Sequence, residues 1–137
     1  MTDPATSNRA RLQDARILIV DDDPDVRESM DAAFRAEGAQ TLLADNGNTA
    51  IDLCLSESPD LVVLDMMLPG RSGFLALEKI KGREESPLVI MVTANEGKRH
   101  QAYGEQLGVD RYLLKPVPLS QLIAVAAELL DEEDEDA

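Results

Sequence analysis

Several residue types on which large classes of protein depend are scarce in this sequence. Its 137 residues include one cysteine, Cys54, one histidine, and no tryptophan. A single cysteine cannot form an internal disulfide, which is typical of a protein from a reducing compartment. No apolar run follows the polar N-terminal residues, so no signal peptide is predicted and we expect a cytoplasmic protein.

Basic residues and long apolar runs are scarce as well. There are 13 Lys and Arg residues against 27 Asp and Glu residues, and the formal net charge is -14 at pH 7. Phosphate backbones repel such a chain, and an aromatic content of 3% leaves few rings for stacking on bases, so nucleic-acid binding is not expected. No apolar stretch approaches the roughly 20 residues of a membrane helix. The length instead predicts one globular domain.

Short apolar runs alternate along the chain with segments of helical period. Five runs predict strands, most of them buried on both faces: residues 17–20, 41–44, 61–64, 88–92 and 112–114. Apolar spacings of three and four predict five helices, near residues 24–37, 50–57, 74–81, 97–107 and 119–130. Asp23 is expected to cap the first helix. This alternation predicts an α/β fold with an open, doubly wound parallel sheet.

The two ends of the chain differ from the part between them. Residues 1–15 are polar and unpatterned, which predicts a flexible N-terminal arm. Six successive acids, Asp131 to Asp136, are typical of a solvated run, so residues 131–137 are predicted to form an acidic C-terminal tail. The domain itself is predicted to span residues 16–130.

Polar residues follow four of the predicted strands at the points where those strands end. Asp21 and Asp22 follow the first strand, Asp65 the third, Thr93 the fourth and Lys115 the fifth. Ligands of an open α/β sheet bind at these carboxyl ends, so we expect the side chains to lie together. Clustered carboxylates suit Mg²⁺. A carboxylate beside a divalent cation, an ammonium and a hydroxyl can accept a phosphoryl group, so the sequence predicts phosphoryl transfer onto an aspartate.

Four stretches of the sequence resemble the receiver domain of two-component response regulators. The resemblance covers about residues 16–130 and implies a flavodoxin-like fold with five helices and five strands in the order 2-1-3-4-5. The stretches are Ile17-Leu-Ile-Val-Asp-Asp-Asp-Pro-Asp-Val-Arg27, Pro59-Asp-Leu-Val-Val-Leu-Asp-Met-Met-Leu-Pro-Gly-Arg-Ser-Gly73, Val89-Ile-Met-Val-Thr-Ala94 and Gly108-Val-Asp-Arg-Tyr-Leu-Leu-Lys-Pro116.

The resemblance implies which residues receive the phosphoryl group and hold the metal ion. Asp65 is expected to be the phosphoacceptor and an Mg²⁺ ligand. Asp22 is expected to bind Mg²⁺ directly, and Asp21 to complete the acidic pair through water. The backbone carbonyl of Met67 is expected to be the third protein ligand.

The resemblance also implies a switch that responds to the phosphoryl group. Thr93 is expected to donate a hydrogen bond to it, and Lys115 to pair with it before a cis peptide bond to Pro116. Ala94 is small enough to leave room for it. Tyr112 matches the family's switch aromatic, which turns inward when Thr93 moves toward the phosphate.

The function implied is that of a stand-alone, CheY-like response regulator. It would take a phosphoryl group from the phosphohistidine of a sensor histidine kinase or a phosphotransfer protein. It would then present a changed face, made of the helix at 97–107, the fifth strand and the last helix, to a downstream protein. Such a protein catalyses only its own phosphorylation and dephosphorylation, so it is not expected to be an enzyme.

Three other interpretations stay open. The chain could be a receiver domain cut from a longer regulator. A haloacid-dehalogenase-like phosphatase also uses Mg²⁺ and a strand-end aspartate, which here would be Asp21 or Asp23. Its Asp-x-Asp-x-Thr/Val motif is not matched, because Asp25 stands at the last position. A pseudo-receiver would only bind partners, but it usually lacks an acceptor or metal acid that is present here.

Overall fold

The computed structural model describes residues 12–68, 73–94 and 105–136. The helix predicted at residues 97–107 lies largely outside these ranges. Within them there are five strands and four helices: β1 (Arg16–Val20), α1 (Pro24–Ala36), β2 (Gln40–Ala44), α2 (Gly47–Glu57), β3 (Leu61–Asp65), α3 (Gly73–Lys81), β4 (Leu88–Thr93), β5 (Arg111–Leu114) and α4 (Leu119–Asp136).

The strands form one parallel sheet in the order β2-β1-β3-β4-β5, which confirms the predicted topology. After β1 the chain moves outward to β2 and then returns to the other side of β1 as β3. Val20 of β1 lies opposite Leu64 of β3. Asp21 and Asp65 each follow directly, so both lie at the switch point of the sheet, where ligands of such folds bind.

Successive strand residues point to opposite faces of the sheet, and each face packs against helices. Phe34 of α1 and Leu122 of α4 pack against one face, whereas Cys54 of α2 and Leu77 of α3 pack against the other. Burial raises the pKa of the Cys54 thiol to about 11, so the thiol stays protonated at neutral pH. Cys54 is therefore a core residue, as its helical spacing predicts.

Two aspartates fasten the amino-terminal ends of neighbouring strands. The Asp60 carboxylate, just before β3, accepts a hydrogen bond from the backbone N–H of Arg16 at 2.9 Å. The Asp110 carboxylate, just before β5, accepts one from the N–H of Val89 at 2.8 Å and pairs with the Lys81 ammonium at 2.8 Å. Both acids therefore have a structural role, at the end of the sheet opposite Asp65.

The prediction of a flexible N-terminal arm at residues 1–15 is wrong for its last four residues. Residues 12–15 form a turn that closes one end of the core, and Leu12 is only 2% exposed. The backbone N–H of Leu12 donates to the carbonyl of Glu37, and that of Asp14 donates to the carbonyl of Gly38, both at 3.1 Å. A single leucine in a polar stretch has no periodicity, so no pattern predicts its burial.

The acidic residues at the other end belong to a helix and not to a tail that follows it. Helix α4 continues through the acidic run to Asp136. The apolar period ends near Leu130, but glutamate favours the helix and no glycine or proline stops it. Neither α4 nor any other helix in the described ranges is long and apolar enough to cross a membrane.

Truncating Leu12 tests whether the turn at residues 12–15 belongs to the core. Leu12→Ala is expected to lower the free energy of unfolding by about 2–4 kcal/mol, because it leaves a cavity among packed side chains. Urea denaturation followed by circular dichroism measures the change. The control Gln13→Ala alters the exposed neighbouring residue and is expected to change stability by less than about 0.5 kcal/mol. Equal effects of the two substitutions would contradict this packing.

Candidate functional site

Three carboxylates come together at the carboxyl ends of β1 and β3. One oxygen atom from each of Asp21, Asp22 and Asp65 lies within 4.8 Å of the other two. Asp21 and Asp65 are buried and Asp22 is exposed. Negative charges at such distances repel one another, and burial strengthens the repulsion by lowering the local dielectric constant. This part of the structure therefore requires positive charge.

Lys115 supplies positive charge from the loop after β5. Its ammonium lies 2.9 Å from Oδ2 of Asp21 and 3.4 Å from Oδ2 of Asp65. Its backbone N–H donates to the carbonyl of Thr93 at 2.8 Å, which fixes the loop against the end of β4. Burial alone would lower the pKa of Lys115, but the hydrogen bond to Asp21 and the charge of Asp65 outweigh it. The pKa of Lys115 is raised, and the side chain is charged at neutral pH.

The two oxygens of Asp65 have different partners. Oδ1 accepts a hydrogen bond from the backbone N–H of Met67 at 3.1 Å, while Oδ2 faces Lys115. Burial raises the pKa of the Asp65 carboxyl above its ordinary value, and the Met67 amide and the Lys115 charge limit the rise. Asp65 is thus a largely desolvated carboxylate held in one orientation.

The backbone around Asp65 is fixed by a close approach of α3. A Cβ atom at Gly73 would lie 2.5 Å from the carbonyl oxygen of Asp65 and 2.5 Å from Cα of Met66. The N–H of Gly73 also donates to the carbonyl of Met66 at 2.8 Å. Only glycine allows this contact without a backbone shift. No role was predicted for Gly73 from the sequence, although it lies in the same stretch as Asp65, which is the signal that could have identified it.

Every polar group of Asp21 has a partner. Its N–H donates to the carbonyl of Ala44, and its Oδ1 accepts from the N–H of Asp23 at 2.9 Å. Its Oδ2 pairs with Lys115, and its carbonyl accepts from the guanidinium of Arg27 at 2.8 Å. Asp23 itself caps α1, as predicted, because its Oδ1 accepts from the N–H of Asp25. The role of the Asp23 carboxylate is therefore to bind backbone N–H groups at the start of α1.

Thr93, Ala94 and Pro116 lie next to this cluster. Thr93 ends β4 and is fully buried, and the Lys115–Pro116 peptide bond is cis. Ala94 is exposed and borders a groove of about 580 Å³ between α1 and the loop after β5. The other side chains that line the groove are mostly apolar, among them Val26, Met30, Val117 and Leu119.

Tyr112 contacts the chain directly after Asp65. It is half-buried on β5, and its hydroxyl donates to the sulfur of Met66 at 3.9 Å. Burial raises the pKa of this hydroxyl, so the side chain stays neutral. The contact joins β5 to the residue that follows Asp65. The side chain of Met67, in contrast, points to solvent and is 64% exposed.

The fold and the site define a doubly wound α/β protein with an acidic cluster at its switch point. Residues 17–127 match the response regulator receiver domain family, and the chain belongs to this family. The resemblance seen in the four sequence stretches is thereby confirmed.

Solved structures of receiver domains are similar over most of the chain. A CheY-like receiver domain protein from Methanospirillum hungatei is 29% identical, covers 91% of this chain and 100% of its own, and has a TM-score of 0.87. A Francisella response regulator receiver domain is 26% identical, with coverages of 88% and 99% and a TM-score of 0.81. The BeF3-activated receiver domain of RstA from Klebsiella pneumoniae is 27% identical, with coverages of 81% and 94% and a TM-score of 0.75.

The donor atoms of the cluster fit a small, hard cation. Receiver domains bind Mg²⁺ through an acidic cluster, and Asp21, Asp22 and Asp65 form such a cluster here. Mg²⁺ prefers carboxylate oxygens and keeps several of its waters, which an exposed ligand such as Asp22 permits. The assignment of a further ligand to the carbonyl of Met67 stays a prediction.

The substitution Asp22→Asn tests the metal site, because it is expected to change stability in opposite directions without and with Mg²⁺, relative to the wild type. Without Mg²⁺ it is expected to raise the urea midpoint slightly, because one of three repelling charges is removed. Mg²⁺ is expected to bind at least about tenfold more weakly and to stabilise the variant less than the wild type. Urea denaturation with and without Mg²⁺ measures both effects. The control Asp52→Asn removes an exposed charge from α2. If Mg²⁺ stabilised Asp22→Asn as much as this control, the assignment of Asp22 to the metal site would be contradicted.

Proposed function

We propose that this receiver domain accepts a phosphoryl group on Asp65, in an Mg²⁺-dependent reaction, from the phosphohistidine of a sensor histidine kinase or a phosphotransfer protein. The phosphorylated form would present a changed surface to a downstream protein. The observation that carries the proposal is the position of Asp65, between the Met67 amide and the Lys115 ammonium and beside two further carboxylates.

The environment of Asp65 suits a nucleophile in phosphoryl transfer. A carboxylate oxygen attacks the phosphorus, the phosphorus–nitrogen bond to the donor imidazole breaks, and the nitrogen keeps the electron pair. The Lys115 ammonium offsets the charge on the phosphoryl oxygens during transfer. The Met67 amide keeps the carboxylate from rotating, so little reorganisation is required.

The carboxylates of Asp21, Asp22 and Asp65 would hold Mg²⁺, with the carbonyl of Met67 as a predicted further ligand. When bound, the ion neutralises part of the charge of the transferring phosphoryl group. The protein's part is to hold the three carboxylates together, and the Asp21–Lys115 pair helps to do so. Because the product is an acyl phosphate on the protein's own chain, we propose a signalling switch and not an enzyme that turns over a substrate.

A protein donor agrees with the groove beside the acceptor site. The groove begins at Lys115 and Ala94 and is lined mostly by apolar side chains of α1 and of the loop after β5. An apolar surface of the donor packed there would bring its phosphohistidine close to Asp65. The groove therefore supports a protein donor over a small phosphate ester.

The response to phosphorylation would pass through Thr93 and Tyr112. A phosphoryl group adds about −1.5 to −2 of charge, and the Thr93 hydroxyl would donate a hydrogen bond to it. Tyr112 would then repack, and its contact with Met66 places it close to the acceptor residue. The changed face would comprise β5, α4 and the helix predicted at residues 97–107.

Acetyl phosphate provides the direct test of the acceptor. With Mg²⁺, the wild type is expected to gain one phosphoryl group, as measured by intact mass, and Asp65→Asn is expected to gain none because the amide is not a nucleophile. Asp45→Asn is the matched control, since Asp45 is an exposed acid at the same edge of the sheet, after β2. Phosphorylation of Asp65→Asn at the wild-type rate would overturn the proposal. So would a wild type that accepts no phosphoryl group from a phosphohistidine donor.

Proton NMR of the aromatic side chains tests the switch. Tyr112→Phe identifies the ring signals of Tyr112 by their loss. In the wild type we expect these signals to shift when Mg²⁺ and beryllofluoride are added, because the ring repacks. The BeF3-activated RstA receiver domain supports the choice of this reagent. The signals should not shift in Asp65→Asn, and unchanged Tyr112 signals in a wild type that binds beryllofluoride would rule out the role of this side chain.

A further inference from the structure

The guanidinium of Arg27 contacts the backbone of the acidic cluster. Its Nη1 donates to the carbonyl oxygen of Asp21 at 2.8 Å. Asp21 as a residue is 1% exposed, so its carbonyl is away from water, and Arg27 supplies its hydrogen bond. Its guanidinium is bonded to the backbone of the cluster and not to one of the three carboxylates. It contributes to the cluster through this backbone contact.

The orientation of Asp22 depends on this carbonyl. The carbonyl of Asp21 and the N–H of Asp22 belong to one planar peptide unit, so a bond that fixes the carbonyl also fixes the direction of the chain at Asp22. Within the described ranges, no hydrogen bond or ion pair holds the Asp22 carboxylate itself. The backbone at Asp22 sets where its Cβ atom lies and thereby brings this carboxylate within reach of Asp21 and Asp65.

Arg27 is itself held firmly by the start of α1. Its N–H donates to the carbonyl of Asp23 at 2.9 Å, and Asp23 caps the same helix through the N–H groups of Asp25 and Val26. The N–H of Asp23 in turn donates to the Asp21 carboxylate. These bonds close a ring from the end of β1 through the first turn of α1 and back to Asp21. A planar, rigid guanidinium completes this ring better than a flexible ammonium would.

We propose that Arg27 is a positioning residue for Mg²⁺: it orients the peptide between Asp21 and Asp22, so that both carboxylates point toward the ion. This inference rests on the proposed function, because it concerns the same metal site. It assigns Arg27 no contact with the ion or with the phosphoryl group. Its effect is on how well the site is arranged before the ion arrives.

The test is the affinity of the full chain for Mg²⁺ alone, measured by isothermal titration calorimetry. Arg27→Met removes the donor and keeps most of the side-chain length, and we expect the Kd for Mg²⁺ to rise about tenfold, at the lower end of the effects of residues that orient metal ligands. Arg27→Lys keeps a charge and one donor and should fall between the wild type and Arg27→Met. Arg35→Met is the control, because it removes the same charge from an exposed position of the same helix.

Salt distinguishes positioning from a general effect of charge. A lost hydrogen bond weakens Mg²⁺ binding at low and high ionic strength alike, whereas loss of a positive charge by itself removes repulsion of Mg²⁺ and strengthens binding, an effect that salt screens. We therefore expect the Kd of Arg27→Met to exceed that of the wild type at low and at high ionic strength, by a ratio that does not fall as salt is added. A ratio that falls to that of Arg35→Met at high salt, or no change in Kd at all, would overturn the inference.

Two further measurements keep the outcomes separate. Circular dichroism of each metal-free variant reports folding, and if Arg27→Met does not fold, a Kd for Arg27→Lys equal to that of the wild type overturns the inference. Phosphorylation of the wild type by acetyl phosphate and by a phosphohistidine donor is measured in parallel. A wild type that binds Mg²⁺ but accepts no phosphoryl group from a phosphohistidine donor defeats the proposed function, whereas the Kd values of the variants still decide the inference about Arg27. A wild type that binds no Mg²⁺ overturns both.

Discussion

The crowding of like charge at one end of the sheet is the constraint on which the rest of the site depends. The strand order places the ends of β1 and β3 side by side, so Asp21 and Asp65 must meet there. The counter-charge comes from Lys115, which follows β5 at the edge of the sheet. Because this ammonium reaches back across β4, it joins the first and third strands by charge to the fifth, whose backbone pairs with β4.

The buried pair of crowded charges, those of Asp21 and Asp65, is held by bonds to the backbone, which fixes both carboxylates before any ligand binds. Asp65 is fixed by the Met67 amide and by the close packing of Gly73, and Asp21 by the amide of Asp23 and the Arg27 guanidinium. Within the described ranges, no buried side-chain nitrogen or oxygen lacks a hydrogen-bond partner. A site built this way needs little reorganisation when charge is added, which is what electrostatic catalysis of phosphoryl transfer requires.

The sequence predicted features that depend on short range or on topology, and it missed those that depend on packing across the fold. Apolar runs locate the strands, and the rule for carboxyl ends then brings Asp21, Asp65 and Lys115 together. The cap by Asp23 is local and was predicted correctly. The burial of Leu12 depends on segments far apart in sequence, and the contact of Gly73 with Asp65 depends on how closely the start of α3 packs against the end of β3; neither leaves a periodic pattern. The continuation of α4 to Asp136 was missed because the prediction relied on the spacing of apolar residues, which ends near Leu130. Residues with a high helix propensity continue the helix beyond that point.

The geometry around Lys115 indicates how a phosphoryl group on Asp65 could affect the neighbouring strands. In this structure the ammonium lies closer to Asp21 than to Asp65. Under the proposed function, a phosphoryl group on Asp65 would place a stronger negative charge next to the more distant of the two partners and so draw the ammonium toward it. The backbone N–H of Lys115 is bonded to the carbonyl of Thr93, whose hydroxyl would be drawn toward the same group. Both shifts would act on the ends of β4 and β5, and β5 belongs to the face proposed to change, so a local change of charge would bias that face.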